Sequence, residues 1–312
     1  MPYVRPDVQN LLNILAAQPG PILSEMPPEG GRQMMLAMGP MLETPRGELA
    51  EVKELSIPAP HGSIPARLYR AALSDAPAPV IIYLHGGGWV IGDLETHDSL
   101  CAEIARLSGI TVVSVDYRLA PEHVFPAAAD DAITAADWVA ASPAEIGHPV
   151  SGIIPAGDSA GGNLAAVICQ ARADTLHIPA QWLIYPGVDM TAAEGSMVEF
   201  ADGYLLTAAS MRWFMDHYLP AGVNRLDPRA SPLHAETRAG QPPALVFTCS
   251  LDPLRDQGRA YAGRLIEHGV RAIFREAEGQ IHGSATLRMG LPSAQADLVA
   301  CIADLKQLLT VA

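Results

Sequence analysis

The chain has 312 residues, a mass of 33.0 kDa and 49% hydrophobic residues, which is enough to bury one large core and a smaller appendage. Its formal net charge of −14 and pI near 5.0 would repel the phosphate backbone of nucleic acid, so we expect no nucleic-acid partner. No stretch approaches the roughly 18 apolar residues of a membrane span and the N-terminus shows no signal-peptide core, which predicts a cytoplasmic protein with no membrane partner.

The first 48 residues have the pattern of short helices interrupted by Pro and Gly pairs. These pairs occupy positions 19–20, 27–28 and 30–31. The alternation of apolar and polar residues that is typical of a strand is missing from this segment. We therefore predict that residues 1–48 form N-terminal helices outside the main sheet.

From residue 51 onward, apolar runs typical of strands alternate with helical patterns. Residues 51–57 and 66–69 resemble a hairpin of edge strands, and 80–84 is a continuous apolar run typical of a strand buried on both faces. The other predicted strands cover residues 111–115, 152–156, 181–185, 244–249 and 270–275. The predicted helices cover residues 97–108, 127–141, 160–173, 255–268 and 293–310. Such alternation indicates an α/β fold with a mostly parallel eight-stranded sheet flanked by helices.

One interval breaks this alternation. Between the strands that end at Tyr185 and start at Ala244, about sixty residues are rich in Met, aromatic residues and Pro, and they include a helical pattern at 208–218. We predict that residues 189–225 are an inserted cap segment that packs with the N-terminal helices over the sheet. The main domain is then predicted to consist of residues 49–188 and 226–312.

A Gly-Asp-Ser-Ala-Gly sequence at residues 157–161 lies between a predicted strand and a predicted helix. This context is that of a nucleophile elbow, in which glycines permit a turn too tight for Cβ atoms and leave the serine hydroxyl exposed. Ser159 is therefore the predicted nucleophile. Asp158, inside the turn, is expected to hold the turn through backbone hydrogen bonds.

Acyl transfer by a serine also needs a base that takes the hydroxyl proton and an acid that orients the base. Asp252 follows the seventh predicted strand and His282 the eighth, which gives the chain order serine, acid, histidine. Both residues then lie at carboxyl ends of strands, where active sites of α/β sheets are found. Asp256, predicted on the next helix, and Asp189, before the cap segment, are the alternative acids. The other histidines considered are expected to be structural, and they are His85, His148, His217, His234 and His268.

Donors for the developing negative charge are predicted from two places. One is the N–H of Ala160, directly after the nucleophile, and the other is the His-Gly-Gly-Gly-Trp loop at residues 85–89. Successive glycines let the backbone approach a substrate oxygen and turn its N–H groups inward. We predict Gly87 and Gly88 as donors, with Gly86 shaping the turn. A phosphate-binding loop is a poor alternative because the Lys-Ser/Thr ending is missing.

Four motifs together resemble those of the bacterial hormone-sensitive-lipase-like esterases, in the subgroup with a G-D-S-A-G elbow. The motifs are H-G-G-G at 85–88, D-Y-R-L-A-P-E-H at 116–123, G-D-S-A-G-G-N at 157–163 and D-P-L-R-D at 252–256. The resemblance extends from about residue 50 to the C-terminus. It implies an α/β-hydrolase fold with a helical cap and carboxylic ester hydrolysis without a metal or an organic cofactor. The implied site residues are the triad Ser159, Asp252 and His282 and the oxyanion-hole residues Gly87, Gly88 and Ala160.

The chain departs from the family pattern at two positions. After the catalytic histidine the family usually has Gly and then Phe, whereas here the second position is Ser284, which is expected to widen or wet the pocket. Pro155 lies in a predicted central strand, where proline removes a ladder donor. In the D-Y-R-L-A-P-E-H motif, Arg118 is expected to pair with Asp116 or Glu122 and fix the loop.

Methionine and aromatic side chains cluster in the N-terminal and inserted segments. Their helical spacing indicates core packing, and any that also line a pocket would favour tolerance for apolar ester groups, because methionine adapts its shape. The predicted pocket residues are Trp89, Tyr185, Met38, Leu206, Met211 and Phe214. The expected substrate is a small ester with a short to medium acyl chain.

Two alternative functions stay open at this point. A lactonase or an amidase would use the same acyl-enzyme chemistry on other substrates. A non-catalytic ligand-binding protein, as in the plant gibberellin receptors that resemble this family but lack the catalytic histidine, is disfavoured by His282. The family resemblance is also compatible with a homodimer through an exposed sheet edge.

The four cysteines are widely spaced and form no C-x-x-C pair. Such spacing predicts neither a disulfide framework nor a metal site. Since most of them lie in apolar segments, we expect buried thiols. The residues are Cys101, Cys169, Cys249 and Cys301.

Overall fold

The computed structural model describes residues 2–17, 20–236 and 240–310. Its strands are β1 (Glu51–Ala59), β2 (Gly62–Arg70), β3 (Ala78–Leu84), β4 (Thr111–Val115), β5 (Val150–Asp158), β6 (Gln181–Ile184), β7 (Ala244–Leu251) and β8 (Ala272–Ile281). Its helices are α1 (Pro6–Ala17), α2 (Pro28–Leu42), α3 (Asp98–Ser108), α4 (Ala127–Ala140), α5 (Ala160–Arg172), α6 (Ser196–Glu199), α7 (Ala208–Tyr218), α8 (Arg255–Glu267) and α9 (Pro292–Leu309). Short 3₁₀ turns lie at Leu23–Glu25, Ala144–Ile146, Pro232–His234 and Ser284–Thr286.

The strands of the described residues form one eight-stranded sheet in the order β1-β2-β4-β3-β5-β6-β7-β8. The β1–β2 and β2–β4 pairs are antiparallel, and the pairs from β4 through β8 are parallel. The predicted α/β fold with a mostly parallel sheet is confirmed. The hairpin of β1 and β2 is longer than predicted, because its paired tip is polar and contains prolines, which masks the strand pattern.

Each face of the sheet has its own core. In β3, Val80 and Ile82 pack with α4, α5 and α8, whereas Ile81 and Tyr83 pack with α3 and α9. This division follows from the two-residue repeat of a strand, and all four side chains are fully buried. The four cysteines are free and buried, as predicted.

β5 lies at the centre of the sheet in spite of Pro155. Ser159 N, just beyond this strand, donates to Ile184 O of β6, and because N–H directions alternate along a strand, the nitrogen of Pro155 faces the same side. The β5–β6 pairing starts only at Ala156, opposite Trp182. The N–H that Pro155 lacks therefore precedes the residues of β5 that pair with β6, and no hydrogen bond between these strands is lost.

The N-terminal segment contacts both the carboxyl edge of the sheet and α7. α1 packs through Val8 and Leu11 against the ends of β7 and β8. Trp213 on α7 donates its ring N–H to the carbonyl of Met26, just before α2 (3.1 Å). The division into cap segments at 1–48 and 189–225 stays a prediction. No helix in the described part of the chain is long and apolar enough to cross a membrane.

The ion pair expected for Arg118 is wrong. Its guanidinium binds the buried Asp131 on α4, with 2.7 Å between Nη2 and Oδ1, rather than Asp116 or Glu122. Glu122 pairs with Arg32 of α2 instead, at 2.7 Å. The physical reason is that α4 starts shortly after the motif, so that Asp131 on this helix lies beside the loop that carries Arg118.

Candidate active site

The turn between β5 and α5 holds Ser159 in a backbone conformation that side chains rarely adopt, with φ at +56°. Ser159 N donates to Ile184 O (2.8 Å) and Ser159 O accepts from Asn163 N (3.1 Å), so the turn is fixed on both sides. Gly161 packs so closely against the end of β3 that a Cβ atom there would collide with the carbonyl oxygen of Leu84. This backbone therefore requires glycine at position 161, as expected for the predicted elbow.

Three side chains from separate loops meet beside this turn. His282, directly after β8, places Nε2 2.9 Å from Ser159 Oγ and Nδ1 2.8 Å from Oδ2 of Asp252, which follows β7. Asp252 is fully buried, and its Oδ1 accepts from Leu254 N (2.8 Å). Because an ionised carboxylate only accepts, Nδ1–H of His282 donates to Asp252 and Nε2 is left to accept from the Ser159 hydroxyl. The structure thus brings together the predicted nucleophile, base and acid.

The alternative acids have other partners. Asp256 accepts from Ser196 N (2.9 Å) and pairs with Arg255 (2.8 Å). Asp189 lies 3.0 Å from Nε2 of His234. These contacts hold both carboxylates in structural pairs, whereas Asp252 is the carboxylate on His282.

The oxyanion loop, residues 85–91, adopts backbone conformations that favour glycine, with φ at +112° for Gly87 and +59° for Gly88. A Cβ atom on Gly87 would meet the carbonyl oxygen of Ile91, and one on Gly88 would meet the ring of Phe214. Within the described residues, the N–H groups of Gly87, Gly88 and Ala160 donate to no protein acceptor. They are therefore available to a substrate oxygen, and their role as oxyanion donors stays a prediction.

A buried carboxylate joins the oxyanion loop to the elbow. Asp158 Oδ1 accepts from Gly86 N (2.9 Å) and from the Tyr83 hydroxyl (2.9 Å), and it lies 3.2 Å from His97 Nε2. Burial by itself would raise the pKa of Asp158, but His97 and Tyr83 outweigh it and hold that pKa below its usual value. Neither Tyr83, in an apolar strand pattern, nor His97, before a helix, carries a sequence signal for this role.

His85 has the structural position expected of it. Its ring stacks on Tyr117 with 4.3 Å between centroids, and its carbonyl accepts from the Tyr117 hydroxyl (2.7 Å). Burial and the nearby His97 lower the pKa of His85 to about 4. The ring is therefore neutral at pH 7.

Two predicted pocket residues are almost fully buried. Trp89 is 5% exposed and stacks on Tyr218 with 4.4 Å between ring centroids. Tyr185 is 1% exposed, its ring centroid lies 4.7 Å from that of His282, and its hydroxyl accepts from Ala285 N (3.3 Å). Tyr185 thus supports the histidine ring and the loop that follows it.

The other predicted pocket residues are half-buried. Phe214 on α7 lies directly against Gly88, so one wall beside the oxyanion loop comes from this helix. Met38, Leu206 and Met211 are partly exposed on the N-terminal and inserted segments. Their place in a substrate pocket stays a prediction.

Ser284 does not face open space. It is 2% exposed, and its hydroxyl lies 3.7 Å from the sulfur of Cys249, which is fully buried. The side chain therefore points into the core beneath the loop that follows His282.

Comparison with known proteins gives concordant matches. A family model described as alpha/beta hydrolase fold matches residues 81–286. The chain is 44% identical to carboxylic ester hydrolase LipN of Mycobacterium tuberculosis over 76% of this chain and 65% of that protein, just under two thirds of its length. It is 38% identical to ethyl acetate hydrolase of Pseudomonas putida over 82% of each protein. A crystal structure of an alpha/beta hydrolase enzyme from the metagenome of Lake Arreo, Spain, is similar with a TM-score of 0.92 at 40% identity over 96% of both chains.

Proposed function

The chain belongs to the hormone-sensitive-lipase-like family of α/β hydrolases, and we propose that it hydrolyses carboxylic esters through an acyl-enzyme on Ser159. The observation that carries the proposal is the pair of hydrogen bonds that link Asp252 to His282 (2.8 Å) and His282 to Ser159 (2.9 Å). Relatives named as a carboxylic ester hydrolase and an ethyl acetate hydrolase support the reaction class. We also propose that the chain belongs to the subgroup with a G-D-S-A-G elbow, which the residues at 157–161 support.

Acylation begins when His282 Nε2 takes the proton of the Ser159 hydroxyl as its oxygen attacks the ester carbonyl. Asp252 holds the ring in the required tautomer and stabilises the imidazolium that forms, and its burial strengthens this interaction. The imidazolium then gives its proton to the departing alcohol, which leaves the acyl group on Ser159.

Deacylation repeats these steps with water as the nucleophile and His282 again as the base. In both half-reactions the carbonyl oxygen becomes negative, and the unpaired N–H groups of Gly87, Gly88 and Ala160 would bind it. Apart from the ester and the water, these steps use only groups of the chain itself.

The substrate we propose is a small ester with a short to medium acyl chain. Phe214 packs against Gly88, which limits the space beside the oxyanion loop, and the partly exposed methionines Met38 and Met211 would adapt to apolar groups. The name ethyl acetate hydrolase for a relative at 38% identity agrees with a short acyl chain.

We also propose a cytoplasmic enzyme without a nucleic-acid or membrane partner, which the net charge of −14 supports in part. β8 is the last strand of the sheet, and its outer edge would pair with the same edge of a second copy to form a homodimer. Size-exclusion chromatography with light scattering tests this assembly, and a monomer at micromolar concentration would contradict it.

The test of the function is a substrate series. p-Nitrophenyl esters from acetate to dodecanoate are compared with lactones and anilides of matched acyl groups. We expect the highest kcat/KM for acetate to hexanoate esters. A higher kcat/KM for lactones or anilides would assign the alternative activity, and no turnover of any acyl compound would contradict the proposal.

A further inference from the structure

Near its N-terminal end, α2 is bound to the oxyanion loop by Arg32. Nε of Arg32 donates to Val90 O (2.9 Å), and Nη2 donates to Ala120 O (3.0 Å). Glu122 accepts from the same guanidinium at 2.9 and 2.7 Å. One planar group therefore joins the helix, the oxyanion loop and the D-Y-R-L-A-P-E-H motif, in a geometry that a lysine does not reproduce.

The contacts of Arg32 lead directly to a predicted oxyanion donor. The N–H of Val90, whose carbonyl Arg32 binds, donates to Gly87 O (3.1 Å). The N–H of Ala120, the other carbonyl partner, donates to Trp89 O (2.9 Å). A shift of Arg32 would therefore move both sides of the turn that presents Gly87.

At its C-terminal end, α2 is bound to the histidine loop, residues 282–291. Glu43 follows the helix directly, and its Oε1 accepts from Nε (3.0 Å) and Nη2 (2.8 Å) of Arg288. Glu43 is 8% exposed and Arg288 is 3% exposed. Breaking such a buried pair leaves an unpaired charge, so this anchor resists separation.

Backbone hydrogen bonds strengthen the same anchor. The carbonyl of Leu42, the last residue of α2, accepts from Met289 N (2.9 Å) and Gly290 N (3.0 Å). These N–H groups belong to the loop that begins with His282. The C-terminal end of α2 is thus hydrogen-bonded to the loop that contains the proposed base, His282.

Arg32 and Glu43 lie roughly 16 Å apart along the helix axis, so one helix spans the distance between the two loops. We propose that α2 is a brace that keeps the oxyanion loop and the histidine loop in fixed relation, with Arg32 and Glu43 as positioning residues. This inference rests on the proposed function of the site. It assigns to the N-terminal segment a role in turnover in addition to any role in the pocket.

The test is a double-mutant cycle of Arg32→Gln and Glu43→Gln. In each variant, kcat is calculated from the concentration of active sites, which is measured by titration with a phosphonate ester. Effects of sites this far apart normally add. A brace fails when either end is released, so each single variant is expected to lower kcat about tenfold, and the double variant about 10- to 20-fold rather than ~100-fold. KM is expected to change by less than about threefold, because the loss concerns the transition state.

Amide hydrogen exchange supplies a second readout that needs no substrate. In Arg32→Gln, whose substituted side chain is partly exposed, we expect faster exchange at Met289 and Gly290, at the far end of α2. The matched control is Arg172→Gln, which breaks a comparable surface pair with Asp137 (2.7 Å) between α5 and α4. This control is expected to keep the parent kcat and the parent exchange at both positions.

Parent kcat in Arg32→Gln, an additive double variant, or unchanged exchange at Met289 and Gly290 would each overturn the brace. Failure of the proposed function gives a different result. A parent protein that hydrolyses no ester and takes no phosphonate contradicts the function, whereas the exchange experiment still decides whether α2 couples the two loops.

Discussion

The turn around Ser159 and the helices that carry the predicted pocket residues are built in opposite ways. The turn contains a serine in a strained backbone conformation and glycines whose positions leave no room for a Cβ atom. It also contains the buried carboxylate of Asp158. The predicted pocket side chains Met38, Met211 and Phe214 are half-buried on helices and have no hydrogen-bonding groups to fix them. Rigid geometry favours the transition state, whereas adaptable side chains favour a range of substrates.

This difference separates two kinds of mutational effect. Changes in the turn and its partners should lower kcat by the same factor for every ester, because each ester develops the same oxyanion. Changes to the predicted pocket side chains on the helices should alter the ranking of esters with little effect on the best one. The predictions below follow this division, from the largest effect to the smallest.

Asp252→Asn should lower kcat about 10⁴-fold for every ester, because the amide favours the wrong tautomer of His282. Steady-state kinetics with acetate and octanoate esters measures the loss. Asp256→Asn is the matched control, since Asp256 is the nearby carboxylate paired with Arg255, and it should stay within about threefold of the parent. An equal loss in both variants would contradict the assignment of the acid.

Asp158→Ala should lower kcat about 10- to 100-fold, since Gly86 N loses the acceptor that holds the oxyanion loop to the elbow. Asp158→Asn retains an acceptor oxygen and should restore most of the activity. Tyr83→Phe removes a different hydrogen bond to the same carboxylate and serves as the control. If all three variants lose the same factor, the carboxylate stabilises the fold without positioning the loop.

Phe214→Ala should change the preference between acetate and octanoate esters by about 3- to 30-fold, because it opens space beside Gly88. The expected gain is for the longer acyl chain. Competition between the two esters in one reaction gives the ratio of their kcat/KM values. If kcat/KM falls by the same factor for both esters, Phe214 acts like a residue of the rigid turn and does not select the acyl chain.

His85 predicts a pH dependence of stability. Its pKa is about 4 in the folded chain, against ~6.5 when unfolded, so the unfolded chain binds more protons between these values. The free energy of unfolding should therefore fall as the pH is lowered from about 6.5 to about 4. Urea unfolding of the parent and of His85→Gln, which lacks the titrating ring, should show a shallower slope in the variant. Equal slopes of the free energy of unfolding against pH in the two proteins would contradict the attribution of this dependence to His85.

The sequence predicted the parts of the site that follow from local chemistry. Ser159 lies in a motif that only a tight strand-to-helix turn requires, and Asp252 and His282 follow apolar strands in a fixed chain order. Parallel strands end at the same edge of a sheet, which is why residues distant in the chain could be expected to meet.

The rest depended on tertiary contacts that sequence spacing does not encode. Arg118 has carboxylates nearby in the chain, yet it binds Asp131 one helix further on. Glu122 binds Arg32, which is distant in sequence. The tether from Asp158 to Gly86 also joins separate segments. Such pairs are selected by how helices pack on the sheet, and no periodicity marks them.

The central claim is that Ser159 becomes acylated because Asp252 and His282 activate it. The most direct test is mass spectrometry of the parent and of Ser159→Ala after treatment with a fluorophosphonate, together with their rates on p-nitrophenyl butyrate. We expect one adduct per parent chain on the peptide that contains Ser159, no adduct on Ser159→Ala, and a kcat lower by roughly 10⁴-fold or more. Hydrolysis by Ser159→Ala at the parent rate, or an adduct on a different residue, would contradict the account.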